Sequence, residues 1–365
     1  MIKILFIAPG NSVHSLRWIE SASSKFKVYW ISLHDFDEEV ERIKCEAKVV
    51  KKFSFFSFFT TQLFIRNYIK DHDIDLVHVH SLARYGFAFY LTALTLKINT
   101  VLSAWGSDLI YGHTNIIKRF YLSGLMRRAK IIHVDGDHMR KLCIQIYPAA
   151  NAKLRLIYFG TNTEFFRPNQ ANHRASSKVK FLSIRNLESI YNINSILSAF
   201  HEIQSAKYDF HLDILGHGSM EEELKNLSSA LNLDKSVNFK GKVSQHEMLQ
   251  LIQNSDVIIS ASASDAGLSA SLGEALSCGK AILASDSGGE NHLWIKEGVN
   301  GWLFDCNSSS DLAAKIELCI KNPLLLKEMG DRNRSIAIDH YDAATEMSKI
   351  HRIYSDLVDF HKLSE

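Results

Sequence analysis

Along the whole chain, short runs rich in β-branched and aromatic residues alternate with stretches whose apolar positions recur every three to four residues. The runs predict strands over Ile2–Ala8, Lys27–Ser32, Leu76–His80, Thr100–Ala104, Ile131–Val134, Val179–Ile184, His211–Leu215, Val257–Ser260 and Ala281–Ala284. Helical spacing lies between them, over Ser15–Ser24, Tyr85–Leu96, Ile193–Ile203, Met220–Leu231, Glu247–Gln253 and Ser271–Cys278. Strands alternating with helices predict an α/β protein with parallel sheets. Near the end, Met347, Ile350, Ile353, Tyr354, Leu357 and Val358 recur at helical spacing, so Ala343–His361 reads as a closing amphipathic helix.

A polar stretch, residues 169–177, follows Arg167-Pro168 and precedes a fresh strand. It predicts a boundary between a first domain, residues 1–168, and a second, residues 178–342. The terminal helix, 343–365, is expected to pack back on the first domain. Each half reads as a doubly wound, Rossmann-like sheet, and the default site is a cleft facing the carboxyl ends of both sets of strands.

Composition narrows this picture. With 365 residues, 46% of them apolar, 22% charged and only 4 prolines, the chain suits two buried cores and excludes disordered or collagen-like readings. Five scattered cysteines form no C-x-x-C pair, so a disulfide framework or zinc ribbon is not expected and a reducing cytoplasm fits. The apolar run at Ile2–Ala8 is too short to span a bilayer, and no later run reaches the ~18 residues that a crossing needs. It reads as a buried strand, not a signal peptide. Any membrane role is then peripheral, on the inner face of the plasma membrane.

Charge is unevenly placed. Residues 1–168 carry 23 Lys and Arg against 14 Asp and Glu, and the remainder carries 19 against 26. A basic first half can face an anionic membrane or acceptor. The segment from Lys48 to Arg66 mixes cations with phenylalanines, as an interfacial patch would, and Ile116–Phe120 and Arg127–Lys130 add charge. Nothing resembles a nucleic-acid-binding module, so no nucleic acid partner is expected.

Candidate chemistry concentrates at strand ends. In the strand-to-helix segment Ser264–Lys280, the Gly267-Leu268-Ser269-Ala270 turn presents backbone N–H groups suited to a diphosphate, and Glu274 can accept both hydroxyls of a ribose. Arg185 ends a strand, where its planar fork can grip two phosphate oxygens; the alternative is a surface pair with Glu188. Asp135-Gly136-Asp137, flanked by His133 and His138, offers either metal ligands or, more simply, a helix N-cap.

These segments resemble, in the right order along almost the entire chain, the family 4 retaining glycosyltransferases of the GT-B fold. Glu274 matches the second glutamate of the family's E-x7-E, and Gly279-Lys280-Ala281-Ile282 follows it. Asp75–His80, Trp105–Asp108, the "N-G-V-D…F-x-P"-like Ile157–Pro168, and Arg185-Asn186-Leu187 with Tyr191–Asn194 supply the other matches. The resemblance implies a nucleotide diphosphate sugar donor, no metal requirement, and a saccharide or lipid-linked saccharide acceptor against the first domain. Pro9–His14 looks like the family's loop near acceptor and diphosphate, bringing in Gly10, Asn11 and His14, with Arg17 a turn further on. Gly216-His217-Gly218 resembles the turn beside the nucleotide base, and Glu290 falls where the family lines its donor pocket. Arg185, Asp265 and His14 are thereby the candidate catalytic residues.

Three departures stand out. Ala266 replaces the first glutamate, leaving Asp265 as the nearest carboxylate. Tyr191 or Ile190 stands where the family has a phosphate-binding lysine, so Arg185 carries that charge unless Arg17 or Lys280 reaches the diphosphate. Trp105 occupies the place of a histidine that touches the donor sugar. The competing expectations are an inactive binding or scaffold protein, or a sugar-nucleotide epimerase or phosphorylase on the same scaffold.

Overall fold

The computed structural model describes the chain apart from residues 51–56, 107–108, 110–114, 170–177, 266, 287–288 and 363–365. It packs as two units, Met1–Phe159 with Thr345–Glu365, and Gly160–Ala344.

In the first unit the strands are β1 (Lys3–Ile7), β2 (Lys27–Ser32), β3 (Cys45–Val49), β4 (Leu76–His80), β5 (Asn99–Ala104), β6 (Ile131–Val134) and β7 (Leu154–Leu156). They form a parallel sheet in the order β3-β2-β1-β4-β5-β6-β7. The second unit contains β8 (Val179–Ile184), β9 (Phe210–Leu215), β10 (Val237–Gly241), β11 (Val257–Ser260), β12 (Ala281–Ser285) and β13 (Gly301–Phe304), ordered β10-β9-β8-β11-β12-β13. Strand order reverses between β1 and β4 in one sheet and between β8 and β11 in the other. At such a reversal the following loops diverge to opposite faces and leave a crevice at the carboxyl ends.

The four strands absent from the sequence expectations, β3, β7, β10 and β13, are the four sheet edges. Inner strands are covered on both faces, so β4 and β11 are buried throughout; β11 reads as an apolar run and β4 as one interrupted only by His78 and His80. The edge strands of the first sheet lack that signal: β3 is Cys-Glu-Ala-Lys-Val with three exposed residues, and β7 is Leu-Arg-Leu with two.

The division between units falls at Phe159/Gly160, earlier than the expected 168. Residues 161–166 are bound into the second unit by backbone and side-chain bonds. Thr161 donates its N–H to the Tyr341 carbonyl at 2.8 Å, Ser277 Oγ donates to the Phe166 carbonyl at 2.5 Å, and Arg334 donates to the carbonyls of Thr163 and Phe166. The polar stretch chosen as the boundary lies, from residue 170 on, outside the described residues.

The closing helix, Ala343–Lys362, belongs to the first core. Met347, Ile350, Tyr354 and Val358 pack with Ile4, Phe6, Trp18 and Leu76. Its polar anchor is a buried chain. Tyr354 Oη lies 2.6 Å from His78 Nδ1, His78 Nε2 2.7 Å from Ser103 Oγ, Ser103 Oγ 2.7 Å from His133 Nδ1, and His133 Nε2 2.7 Å from the Ile157 carbonyl. The carbonyl can only accept, so with both imidazoles neutral every proton is fixed. Tyr354 donates to His78, His78 to Ser103, Ser103 to His133, and His133 to Ile157.

Burial holds both imidazoles neutral, bringing His133 down to about 4 and His78 well below its ordinary value, with His80 and His133 adding repulsion at His78. An unfolded histidine takes up a proton near 6.5, so the contribution of these groups to stability is present above that pH and lost as pH falls toward 4. The urea midpoint of the first unit should therefore drop between pH 6.5 and 4. Tyr354→Phe, which leaves His78 Nδ1 without a donor, should lower stability at pH 7.5 by ~1–3 kcal/mol. A midpoint independent of pH over that window would contradict neutral histidines here.

Candidate active site

Within the second unit, the reversal between β8 and β11 gathers several of the candidate side chains. Arg185 is the first residue past β8, and its N–H continues the ladder to the Leu215 carbonyl at 3.1 Å. The turn after β9 closes on it: Gly216 has φ +143°, and a Cβ there would sit 1.9 Å from the Arg185 carbonyl oxygen. Only glycine fits. Gly216 thus supports Arg185 from behind, while Leu187 N–H donates to the His217 carbonyl at 2.9 Å.

The Arg185 guanidinium crosses to the neighbouring strand. Its Nε donates to Ser260 Oγ, at the end of β11, at 3.2 Å, and its Nη2 forms an ion pair with Asp265. The two side chains are only 11% and 12% exposed. The guanidinium lies over the Tyr191 ring at 5.1 Å, which braces the arginine. Burial pushes the Asp265 carboxyl up, opposed by Arg185 and a hydrogen bond from Ser262. The alternative pairing with Glu188 does not occur. Glu188 accepts from the Ser219 N–H at 2.9 Å and from its hydroxyl at 2.5 Å.

After Asp265 the chain reaches the Ala270–Ser277 helix. Ser269 is its N-cap, with extended backbone and a hydroxyl accepting from Leu272 N–H at 3.4 Å. The Leu268 carbonyl accepts from Tyr341 Oη at 3.3 Å. The carbonyl oxygens of Asp265 and Gly267 lie against Gly289, next to Glu290. Arg185, Asp265, Gly216, Gly267 and the Gly289-Glu290 turn are thereby in one neighbourhood. Glu274, one turn into the helix, is 6% exposed, and Glu290 is 3% exposed.

Two residues of this neighbourhood escaped the sequence reading. Ser260 could have been found by the strand-end rule that found Arg185. Asn291 is fully buried, its Nδ2 donates to the Ser285 carbonyl at 2.9 Å, and its Oδ1 has no hydrogen-bond partner. A buried acceptor without a donor marks a place for a ligand or water. No sequence signal distinguished it. Ala266 and Ser287-Gly288, which the sequence reading quoted, lie outside the described residues, as do Ser107 and Asp108 after Trp105.

Lys280 is removed as a diphosphate cation. Its Nζ donates to the carbonyls of Gln253 and Ser255, both at 2.8 Å, and it precedes β12, at the amino end of that strand.

In the first unit the loop after β1 carries Gly10, Asn11 and His14. Gly10 N–H donates to Ser32 Oγ at 2.8 Å, and a Cβ would meet Phe36 at 2.7 Å and the Asp35 carbonyl at 2.9 Å, so close approach demands glycine. Asn11 borders an open pocket of about 600 Å3 with His34, Asp35 and Phe36. His14, in the first turn of the Val13–Ser23 helix, has its ring 4.5 Å from Phe159 and 5.8 Å from Trp105. Loss of hydration against these rings, with Arg17 nearby, lowers its pKa. Beside it lies His80, fully buried, with Nε2 unpartnered.

Asp135-Gly136-Asp137 stands at the start of the Asp137–Ile146 helix. Gly136 is the N-cap of the Asp137–Ile146 helix, Asp137 makes no capping bond, and it pairs with Lys141 at 2.9 Å. His133 is committed to the buried chain. Among the described residues no group of three or more His, Cys, Asp or Glu could hold a metal.

Two family profiles match the chain: "Glycosyl transferases group 1" over residues 166–336 and "Glycosyl transferase 4-like" over residues 3–135. The chain belongs to the group 1 glycosyltransferases. An uncharacterized glycosyltransferase of Methanocaldococcus jannaschii is 28% identical over 183 residues, half of this chain and 46% of that relative, so the chain spans about half of that protein's length. Among solved structures, a glycosyltransferase from Rickettsia africae superposes with a TM-score of 0.82 at 19% identity, covering 98% of each chain. Anabaena HepE, crystallised in complex with UDP, superposes at 0.83 with 17% identity, over 97% of this chain and 100% of HepE. At such identities the likeness shows the fold, which is GT-B.

The Arg185–Asp265 pair makes a measurable claim on stability. Removing one partner of a buried pair costs ~3–5 kcal/mol, because it strands the other charge. Asp265→Ala and Arg185→Ala should each destabilise the second unit by about that much, and the double variant by clearly less than their sum. Strict additivity in denaturant unfolding would mean that the two do not interact.

Proposed function

We propose that this protein transfers a sugar from a nucleotide diphosphate sugar to a hydroxyl of a cell-surface polysaccharide or lipid-linked saccharide, with retention of anomeric configuration. The observation that carries the reading is the Arg185 guanidinium, fixed by Asp265 and Ser260 at the strand-order reversal and close to the start of the Ala270–Ser277 helix. A leaving diphosphate needs preorganised positive charge, and a planar fork plus helix N–H groups supplies it without a metal. UDP is the first nucleotide to test, because HepE, of the same fold, binds it. Glu274 serves the ribose hydroxyls, Gly216 and Glu290 border the nucleotide and sugar, and Gly10, Asn11 and His14 serve the acceptor side.

The acceptor reading places the protein in the cytoplasm, peripherally on a membrane. Among the described residues no helix is long and apolar enough to cross a bilayer. The Phe58–Asp71 and Ile116–Arg128 helices instead expose Phe59, Leu63, Ile116, Ile117 and Phe120 beside Lys118 and Arg119, a composition suited to an anionic interface. Of the Lys48–Arg66 patch, residues 51–56 lie outside the described residues.

The test is turnover of labelled UDP-sugars with lipid-linked acceptors in anionic and in neutral vesicles. Arg185→Ala should lose ~10² to 10³ in kcat, the usual cost of one preorganised donor, and Arg185→Lys should recover only part. Glu274→Gln should chiefly raise the KM for donor, and activity should be higher on anionic vesicles and fall with salt. A folded Arg185→Ala enzyme within about threefold of wild type would overturn the site. Epimerisation without acceptor, phosphate-dependent cleavage, or no binding of any nucleotide sugar would assign the protein to one of the competing readings.

A further inference from the structure

One cavity in the first unit lies away from the residues assigned above. It has a volume of about 770 Å3 and adjoins a second of about 450 Å3, with Leu96, Lys97, Ile98 and Asn99 shared between them. Its walls come from the amino-terminal edge of the sheet. Asn99 opens β5, Lys130 precedes β6, and Lys153 precedes β7. His14, Trp105 and Phe159 sit past the opposite ends of the strands. Six residues of β5 separate the two edges by roughly 20 Å, so the cavity is a different place from the acceptor loops.

Its chemistry is one-sided. Lys97, Arg127, Arg128, Lys130 and Lys153 line it, against the single carboxylate of Asp356. Among the described residues none of these five cations joins an ion pair. Two of them answer helix ends: Arg128 donates to the Leu94 carbonyl at 2.9 Å, and Lys153 to the Met126 and Arg127 carbonyls at 3.2 and 2.7 Å. Each helix end carries about half a negative charge, so the Arg84–Thr95 and Ile116–Arg128 helices and Asp356 together offset about two of the five. An excess of about three positive charges remains around one cavity. Burial, with Lys130 nearby, lowers the Lys153 pKa.

The floor is apolar. Ala93, Leu96, Ile98 and Leu357 line it, and Leu357 is tied in place by Asn99 Nδ2, which donates to its carbonyl at 3.1 Å. A multiply charged anion neutralises the rim, and an apolar body covers the floor. A volume of this size is ordinary for a small-molecule site.

From this we propose that the amino-terminal edge of the first sheet holds a second ligand site, for a phosphate monoester with an apolar body, gripped by Lys97, Arg127 and Lys130. The site contacts Asp356 and Leu357 on the closing helix, so its occupant braces that helix against β5. It stands whether or not the chain transfers sugars. The same headgroup chemistry is carried by a soluble phosphorylated compound and by a phospholipid such as phosphatidic acid.

The experiment is calorimetric titration of the full chain in the Arg185→Ala background, which removes the donor-side guanidinium, with phenyl phosphate, inorganic phosphate and benzyl alcohol. Phenyl phosphate should bind more tightly than inorganic phosphate, and benzyl alcohol should not bind. Adding Lys97→Glu and Lys130→Glu, both on exposed side chains, should weaken phenyl phosphate by at least about tenfold, or 1.4 kcal/mol, with the circular dichroism spectrum unchanged. Sedimentation with phosphatidylcholine vesicles, with and without phosphatidic acid, separates the sources. Phosphatidic-acid-dependent binding lost in the Lys97/Lys130 variant and kept in Lys118→Glu/Arg119→Glu identifies a lipid headgroup; phenyl phosphate binding alone identifies a soluble ligand. No binding of phenyl phosphate, or equal binding with and without the charge reversals, would overturn the site.

Discussion

The second unit turns on one buried contact, the Arg185 guanidinium held by Asp265 and Ser260 across the β8–β11 reversal. Parallel pairing of Val257 with Phe181 and of Ile259 with Ser183 sets the register that lets a β8 strand-end residue reach the end of β11. The glycine behind Arg185 and the tyrosine over it then leave the fork few other positions. An ion pair this sheltered is a poor source of net stability, because desolvating both charges consumes most of the attraction. What it provides is a fixed, always-charged fork with a raised-pKa carboxyl beside it; in the proposed function an incoming diphosphate competes with Asp265 for the same N–H groups. A planar fork can hold Asp265 and still present N–H groups to a second acceptor, which a single ammonium has less geometry to do.

The first unit uses burial differently. Its polar interior is a line of neutral donors and acceptors running from Tyr354 to the Ile157 carbonyl, with each proton's place determined by the carbonyl at one end. The line ties the closing helix to β4, β5 and β6, and it ends two residues before Phe159, which packs on His14. Packing of the helix, the sheet and the aromatic residues beside the loop after β1 is thus one connected arrangement.

How much of this could be read from residues alone follows from where burial is two-sided. Every inner strand was legible, because most of its residues are apolar and buried; the edge strands were not, and in β3 and β7 most residues are exposed. Arg185 was legible from its position after a strand, yet its partner was not, since Glu188 is closer in sequence and only the fold sends it to Ser219 instead. Lys280 looked available beside the Ala270–Ser277 helix and proves to cap carbonyls at the other end of β12. Asn291 carries no pattern, and its importance is visible only as an oxygen buried without a donor.

The central claim is that the Arg185 fork is the phosphate-binding element of a nucleotide site, and calorimetry of the free protein addresses it without knowledge of sugar or acceptor. A nucleoside diphosphate and its parent nucleoside are titrated into wild type and Arg185→Ala. The account predicts that the diphosphate loses at least about tenfold in affinity in the variant, or 1.4 kcal/mol, while the nucleoside, which has no phosphate to grip, binds both proteins alike. Equal diphosphate affinity in the two proteins would contradict it.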